Sequence, residues 1–296
     1  MAIGVVTREG IKLSCRATGP TESARAVLLI HGLNTNMAFW HPLLVRQLSA
    51  DRQLILYDQR GHGASDLPDS GYTLADLAED ARAVLDAHGI ESADIVAHSF
   101  GSGVAMQLAR TYPQRVRSLT ILDGRLRSLQ GEVRLRDWTF FGKWSEQFDA
   151  AGIAIDPDWE IDCLLPLKME SIDFSLVSAG LQAHGFFVPR TNKRAGSKYR
   201  RLMTETKALA EYDNPCGLTR ETLSEVTQPT LLIYGAMSPF LPTCQILSSE
   251  LPDAQVAILD DAGHNFPITQ PEQTLGAMAR WSASCPLPDL SGNPAI

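Results

Sequence analysis

The chain has 296 residues, 44% of them hydrophobic and 20% charged, which predicts a soluble globular protein that buries a large core in one main domain. Its net charge of −8 disfavours general nucleic-acid binding. No apolar run approaches the length that spans a membrane and no signal-peptide pattern opens the chain, so we expect a cytoplasmic protein without a membrane partner.

The first part of the chain predicts strands followed by a helix. Residues 4–7 and 11–17 favour an antiparallel hairpin. The apolar runs Ala26–Ile30 and Gln53–Tyr57 are typical of strands buried on both faces of a parallel sheet. Thr73 then caps a helix whose apolar side chains share one face and which ends near Gly89.

The centre of the sequence predicts a strand, a sharp turn and a helix over residues 95–106, with Ser99 on the turn. So tight a turn requires small residues two positions before and after the serine, and Ala97 and Gly101 stand there. The serine hydroxyl is then held clear of the sheet, beside the positive end of a helix.

The remaining strands follow the same alternation. Val116–Leu122 predicts a strand that ends at Asp123, and residues 229–235 and 255–259 predict two more, separated by a helix over 243–251. A last helix is predicted over Pro271–Ser284. Alternating strands and helices indicate an α/β fold, with a mostly parallel sheet covered by helices on both faces.

Three motifs resemble those of the α/β-hydrolases. The turn at Ser99 resembles the G-x-S-x-G nucleophile elbow, with Ala97 in place of the first glycine. Residues 58–65 match the D-x-R-G-x-G-x-S loop of that family, and the loop around His264 resembles the one that bears its catalytic histidine. The resemblance implies that Ser99 is the nucleophile and His264 the base.

The resemblance also assigns roles to neighbouring residues. The strand that ends in His31, Gly32 and Leu33 would give the Leu33 N–H to an oxyanion hole, and the Phe100 N–H would be the second donor. His31, Asp58 and Arg60 are interpreted as structural residues.

The family commonly inserts a helical lid after the strand that ends at residue 122. The resemblance therefore implies a lid over 125–222 on a core formed by 1–124 and 223–296. Three of the five tryptophans lie in this segment. Its aromatic residues, Trp138, Phe140 and Trp144 among them, either line a pocket for an apolar substrate or pack the lid onto the sheet.

Six cations without an intervening acid stand between residues 190 and 201 of the same segment: Arg190, Lys193, Arg194, Lys198, Arg200 and Arg201. They could receive the phosphates of coenzyme A or an acidic acyl carrier protein. The alternative is a solvated helix face.

The catalytic acid departs from the common family pattern. Most members carry it after the strand that precedes the last one, and here that position holds Ser238. Either the triad is broken or the acid has moved. Asp123 ends the strand after the elbow helix and keeps the family order of serine, acid and histidine, so we predict Asp123 as the acid. The alternative is a loop aspartate that caps the first lid helix.

These residues predict a serine hydrolase that cleaves a small-molecule ester or thioester through an acyl-enzyme. Two alternatives stay open: a cofactor-independent dioxygenase that uses His264 and Asp123 on a hydroxy-heteroaromatic ring, and a non-catalytic ligand receptor. The five cysteines are scattered, which argues against a disulfide framework or a zinc site. We expect neither a metal nor a cofactor.

Overall fold

The structure is a computed structural model that describes residues 3–21, 25–41, 44–169 and 193–284. Within these ranges eight strands form one sheet, in the spatial order β1-β2-β4-β3-β5-β6-β7-β8. The strands are β1 Ile3–Arg8, β2 Ile11–Thr18, β3 Ala26–Ile30, β4 Gln53–Tyr57, β5 Ala93–His98, β6 Val116–Leu122, β7 Thr230–Gly235 and β8 Ala254–Leu259.

In spatial order the strands from β4 to β8 pair in parallel, and the antiparallel pairs are the two that involve β2. β1 pairs with β2 and β2 with β4 in antiparallel register, whereas β3 pairs in parallel with both β4 and β5. β5, β6, β7 and β8 continue the parallel pairing. The predicted α/β fold with a mostly parallel sheet is therefore confirmed.

Helices follow most of the strands. The α-helices of the described ranges are α1 Leu44–Leu48, α2 Leu74–Ala87, α3 Gly101–Thr111, α4 Phe141–Ala150, α5 Leu165–Lys168, α6 Lys193–Glu205, α7 Ala208–Glu211, α8 Leu241–Glu250, α9 Phe266–Thr269 and α10 Pro271–Ser284. Short 3-10 helices cover Met37–Trp40, Pro113–Arg115, Leu135–Asp137 and Arg220–Glu225. None of these helices is both long and apolar enough to cross a bilayer.

The two faces of the sheet bury separate apolar layers. Along β5, Ile95 and Ala97 join the layer under α2 and α3, and Val96 joins the layer under α10. Successive side chains of a strand point to opposite faces, so a strand with both faces covered must be apolar at every position. β3 meets this condition along its whole length, and β7 is buried at every position and begins with Thr230 as its one polar exception among otherwise largely apolar residues.

The loop over residues 58–65 ties the sheet to its surroundings, as its structural interpretation requires. The Asp58 carboxylate accepts the backbone N–H groups of Met37 and Ala64, each at 2.7 Å. The Arg60 guanidinium makes two 2.6 Å bonds to the Asp80 carboxylate on α2, and both side chains are buried. Neither charged group reaches the cavity described below.

The segment between β6 and β7 is helical in its described parts. Its last helices do more than cover the sheet, because Tyr199, Leu202 and Met203 of α6 are buried in the same apolar layer as α2 and α3. Glu211 at the end of α7 accepts the backbone N–H groups of Gly71 and Tyr72 at 2.8 and 2.7 Å. The lid and its boundaries at 125 and 222 stay a prediction.

Candidate active site

Ser99 lies on a strained turn between β5 and α3. Its φ of 55° is in the left-handed region, which a non-glycine residue adopts at an energetic cost. The turn fits because its neighbours are small: a Cβ on Gly101 would lie 2.6 Å from the carbonyl oxygens of Ile30 and His31, and one on Gly32 would lie 2.9 Å from the Ser99 Cβ. The two loops thus pack backbone against backbone and hold the hydroxyl at the carboxyl edge of the sheet.

His264 reaches Ser99 from the loop after β8. Its Nε2 lies 3.0 Å from Ser99 Oγ, and its Nδ1 lies 2.7 Å from Asp123 Oδ2. Because a carboxylate only accepts, the neutral ring carries its proton on Nδ1, and Ser99 donates to Nε2. The structure therefore brings together the three side chains that the sequence singled out.

Asp123 stands directly after β6 and is fully buried. It adopts a φ of 49°, which turns its side chain toward β7. Its Oδ1 accepts the Gly235 N–H at 3.1 Å, and its Oδ2 accepts His264 Nδ1–H. β6 lies between β5 and β7, so a residue at its carboxyl end is next to both the serine turn and the loop after β7.

Ser238 occupies the position where most of the α/β-hydrolases have their acid, and no role was predicted for it from the sequence. Its hydroxyl donates to Asp123 Oδ2 at 2.5 Å, and its oxygen accepts the Phe240 N–H at 3.0 Å. The side chain is buried. Asp123 Oδ2 therefore accepts from a serine and a histidine together.

His98 is a second residue of the site that the sequence did not single out. It precedes Ser99, is buried, and donates from Nε2 to the backbone carbonyl of His264 at 2.9 Å. Its ring lies between the rings of Phe39 and His264, with centroids 4.5 and 4.7 Å away. Burial lowers its pKa well below the ordinary value, so it stays neutral. A histidine inside an apolar strand was the signal that could have revealed it.

Two further histidines lie buried behind the site. His31 and His62 have ring centroids 5.3 Å apart, and His31 Nε2 accepts the Gln59 N–H at 3.1 Å. Burial lowers the pKa of His31 to about 4 and that of His62 to about 3. Both rings are packed as neutral groups: His31 accepts from Gln59, and His62 donates from Nδ1 to the Arg60 carbonyl at 3.1 Å. This agrees with the structural interpretation of His31.

Leu33 and Phe100 line the same cavity as Ser99. Phe100 is the residue before the first turn of α3, where backbone N–H groups have no intrahelical partner. Leu33 lies in the loop after β3, which the close contact between Gly32 and Ser99 holds beside Ser99. Their role as oxyanion donors stays a prediction.

A cavity of about 360 Å³ opens beside Ser99 and His264. Its wall comes from the loops after β3 and β5, from the segment between β6 and β7, and from the loops after β7 and β8. The wall is largely apolar and includes Leu33, Phe39, Leu74, Phe100, Leu126, Ile161, Phe240 and Ile268. A concave apolar site with a few polar groups is typical of small-molecule binding.

Trp138, Phe140 and Trp144 do not line this cavity, and their assignment as substrate contacts stays a prediction. Trp138 and Trp144 meet edge to face with ring centroids 3.8 Å apart, in a small apolar core of their own segment. Trp138 Nε1 donates to the Met237 carbonyl at 2.7 Å, so the ring anchors the loop that carries Ser238. Of the two alternatives, the structure supports packing.

Among the described residues, the charged side chains in and behind the wall nearly balance one another. Arg127 pairs with Glu160 at 2.9 Å and with Asp213 at 3.3 Å, while Asp162 accepts two backbone N–H groups at the start of α5. Arg125 lies 3.5 Å from Glu160. Two guanidinium groups thus face three carboxylates, an arrangement that does not attract a polyanion.

Arg125 lines the same cavity as His264. Its guanidinium carbon lies 5.6 Å from the centroid of the Phe240 ring, which meets the His264 ring edge-on at 5.0 Å. Burial lowers the pKa of Arg125, and its buried Nε has no hydrogen-bond partner among the described residues.

The basic stretch is partly committed to the protein itself. The Lys198 ammonium donates to the carbonyls of His62, Gly63 and Ser65, and Arg201 forms an exposed pair with Glu205 at 2.8 Å. Arg190 lies outside the described residues. Docking of coenzyme A or a carrier protein on this stretch stays a prediction.

Comparison with known proteins agrees with this geometry. A family model described as the alpha/beta hydrolase fold matches residues 25–156. A "Putative carbamate hydrolase RutD" of Variovorax paradoxus strain S110 is 42% identical over 256 residues, which cover 85% of this chain and 89% of the relative. A 2-(acetamidomethylene)succinate hydrolase of Mesorhizobium japonicum is 27% identical over 280 residues, 92% of this chain and 91% of that protein.

A solved structure shares the architecture. Est816, described as an N-acyl homoserine lactone degrading enzyme, superposes with a TM-score of 0.65 at 24% identity, covering 94% of this chain and 99% of that one. At this identity the likeness concerns the fold. Together with the 42% identical relative and the matching family model, it leads to one conclusion: the chain belongs to the α/β-hydrolase family, and it is a hydrolase.

Proposed function

We propose that the protein is a serine hydrolase that cleaves a small acyl compound through an acyl-enzyme, with Ser99 as nucleophile, His264 as base and Asp123 as acid. The observation that carries the proposal is the continuous relay from Ser99 Oγ through His264 to Asp123 Oδ2, at 3.0 and 2.7 Å, beside a cavity. A serine hydroxyl becomes a useful nucleophile only when an oriented imidazole accepts its proton.

In the first step Ser99 Oγ attacks the carbonyl carbon, and its proton moves to His264 Nε2. The imidazolium is stabilised by Asp123, and the N–H groups of Leu33 and Phe100 would bind the oxyanion. The tetrahedral intermediate collapses, and His264 returns the proton to the leaving group. Water then attacks the acyl-enzyme by the same sequence, which releases the acid and restores Ser99.

The leaving group can be oxygen, sulfur or nitrogen. The sequence favoured an ester or a thioester. The two relatives are named for a carbamate and for an acetamido compound, and both of these compounds carry nitrogen on the carbonyl carbon. The near balance of charges at the cavity wall argues against a polyanionic carrier there, so we favour a free small molecule. Arg125 lines the cavity, and its guanidinium would bind an acceptor oxygen of that molecule.

The test is labelling with a fluorophosphonate, followed by a substrate panel. The wild type should be labelled, Ser99→Ala should not be, and His264→Ala should react at least about 10³-fold more slowly. Labelling that survives Ser99→Ala would refute the acyl-enzyme.

An ester, a thioester, an amide and a carbamate of one acyl group then identify the leaving group. Arg125→Met should raise KM for substrates that carry a carboxylate or carbonyl at the distal end and leave KM unchanged for alkyl analogues. Oxygen consumption with hydroxyquinolones, without labelling of Ser99, would favour the dioxygenase alternative instead.

A further inference from the structure

The end of β7 and the loop that follows it contact Asp123 from two sides. Gly235 N–H donates to Asp123 Oδ1 at 3.1 Å, and Ser238 O–H donates to Oδ2 at 2.5 Å. One short stretch, residues 235–238, therefore fixes both oxygens of the carboxylate. A carboxylate held by two donors at different oxygens has one orientation in which it can also accept His264 Nδ1–H.

The same loop is itself firmly held. Ser238 Oγ accepts the Phe240 N–H at 3.0 Å, the Met237 carbonyl accepts the Trp138 Nε1–H at 2.7 Å, and Met237 N–H donates to the Ala262 carbonyl at 2.9 Å. The last bond joins this loop to the one that carries His264. The hydroxyl of Ser238 is thus oriented by its surroundings before it reaches Asp123.

From this geometry we propose that Ser238 is a positioning residue, which holds Asp123 Oδ2 against His264 and so maintains the proton on His264 Nδ1. The inference rests on the proposed function, because it concerns the same relay. The burial of Ser238 and Asp123 excludes water as a replacement donor once the hydroxyl is removed. Its effect passes entirely through Asp123, and Ser238 contacts no reacting atom.

The experiment is a double-mutant cycle read by the rate of fluorophosphonate labelling of Ser99. Ser238→Ala should slow labelling about tenfold in the wild-type background, since a hydrogen bond to a charged group is lost. In the Asp123→Asn background the same change should alter the rate less than about twofold, because the group through which Ser238 acts is already lost.

Ser118→Ala is the matched control. Ser118 is also a buried serine that donates to a carboxylate, Asp94 Oδ1 at 2.9 Å, but it lies in the first half of β6, toward the opposite edge of the sheet. This variant should label at the wild-type rate. Thermal unfolding of each variant checks that the protein remains folded at the assay temperature.

Each outcome bears on one claim. A wild type that is not labelled refutes the proposed function. If the wild type is labelled and Ser238→Ala reacts equally fast, the positioning role is wrong and the proposed function stands. An equal loss in both backgrounds would also overturn the inference, since Ser238 would then act independently of Asp123.

Discussion

Replacement of Asp123 by asparagine tests how the buried carboxylate controls the histidine. The carboxylate accepts three donors: Gly235 N–H on Oδ1, and Ser238 O–H and His264 Nδ1–H on Oδ2. Asparagine offers one acceptor oxygen and one NH₂ group. If the NH₂ group faced Gly235, two donors would meet in a buried site, at a cost of about 1–3 kcal/mol.

The other orientation keeps the Gly235 bond, but it sets the NH₂ group against the Ser238 hydroxyl and inverts the histidine. The NH₂ group then faces His264 Nδ1, so the ring must carry its proton on Nε2, which points at Ser99 and can no longer accept the serine proton. The same change in a serine protease lowers the rate about 10⁴-fold without disturbing the geometry. We expect a loss of about 10³- to 10⁴-fold for Asp123→Asn.

The assay is the second-order rate of fluorophosphonate labelling, measured together with the unfolding temperature. Asp94→Asn makes the same chemical change at a carboxylate that binds Ser118 and Arg117 away from the cavity, so its labelling rate should equal that of the wild type. A rate for Asp123→Asn within tenfold of the wild type, at an unchanged unfolding temperature, would refute the reasoning.

Three further predictions concern stability and loop packing. Burial holds His31, His62 and His98 neutral, so their contribution to the free energy of unfolding is fully present above pH 6.5 and is lost as the pH drops toward the lowered pKa of each. For His31, with a pKa of about 4, the loss reaches about 2 kcal/mol at pH 5. Urea unfolding that gives equal free energies at pH 7.5 and pH 5 would contradict this prediction. Arg60→Met leaves the buried Asp80 carboxylate paired with Arg8 alone and should lower the free energy of unfolding in urea by about 3 kcal/mol. Arg201→Met breaks an exposed pair and should lower it by about 0–1 kcal/mol. Equal losses would show that burial is not the cause. Gly235→Ala would place a Cβ against the Ala262 carbonyl and displace the loop that carries His264, so labelling of Ser99 should slow at least tenfold. Gly142→Ala, at a position with open space, should leave the labelling rate unchanged. Normal labelling of Gly235→Ala would show that the close approach of Gly235 to Ala262 is dispensable.

The sequence of strands along the chain, and the residues at which they end, could be predicted because both depend on local signals. Continuous apolar runs such as Ala26–Ile30 and Val116–Leu122 can be stable only when both faces are covered, and the structure gives them the predicted bounds. The cap at Thr73 was equally local, with its Oγ1 accepting Asp76 N–H at 3.2 Å. The proximity of Asp123 to His264 followed from the rule that parallel strands present their carboxyl ends at one edge.

The contacts that the sequence did not reveal depend on tertiary packing. An aromatic side chain gives the same hydrophobic signal whether it faces a ligand or a neighbouring helix, so Trp138 and Trp144 could not be separated from true pocket residues. In the sequence, Lys198 could be identified only as one cation of a basic stretch. In the structure its ammonium group donates to three backbone carbonyls of the loop after β4. Predicting the hydrogen bond from Ser238 to Asp123 would have required the register of the neighbouring strands β6 and β7, which no local sequence pattern encodes.

The location of the acid has a consequence for the order in which the site can assemble. Ser99 and Asp123 follow the paired strands β5 and β6, with only α3 and a short turn between them, so both can be in place once this central unit has formed. His264 is 165 residues from Ser99 and 141 from Asp123, and its arrival closes by far the longest loop among these contacts. Such distant pairings form late because the entropy of loop closure opposes them. A nascent or truncated chain that ends before β8 therefore carries an unactivated serine, and hydrolytic power arises only when the carboxyl-terminal strands dock.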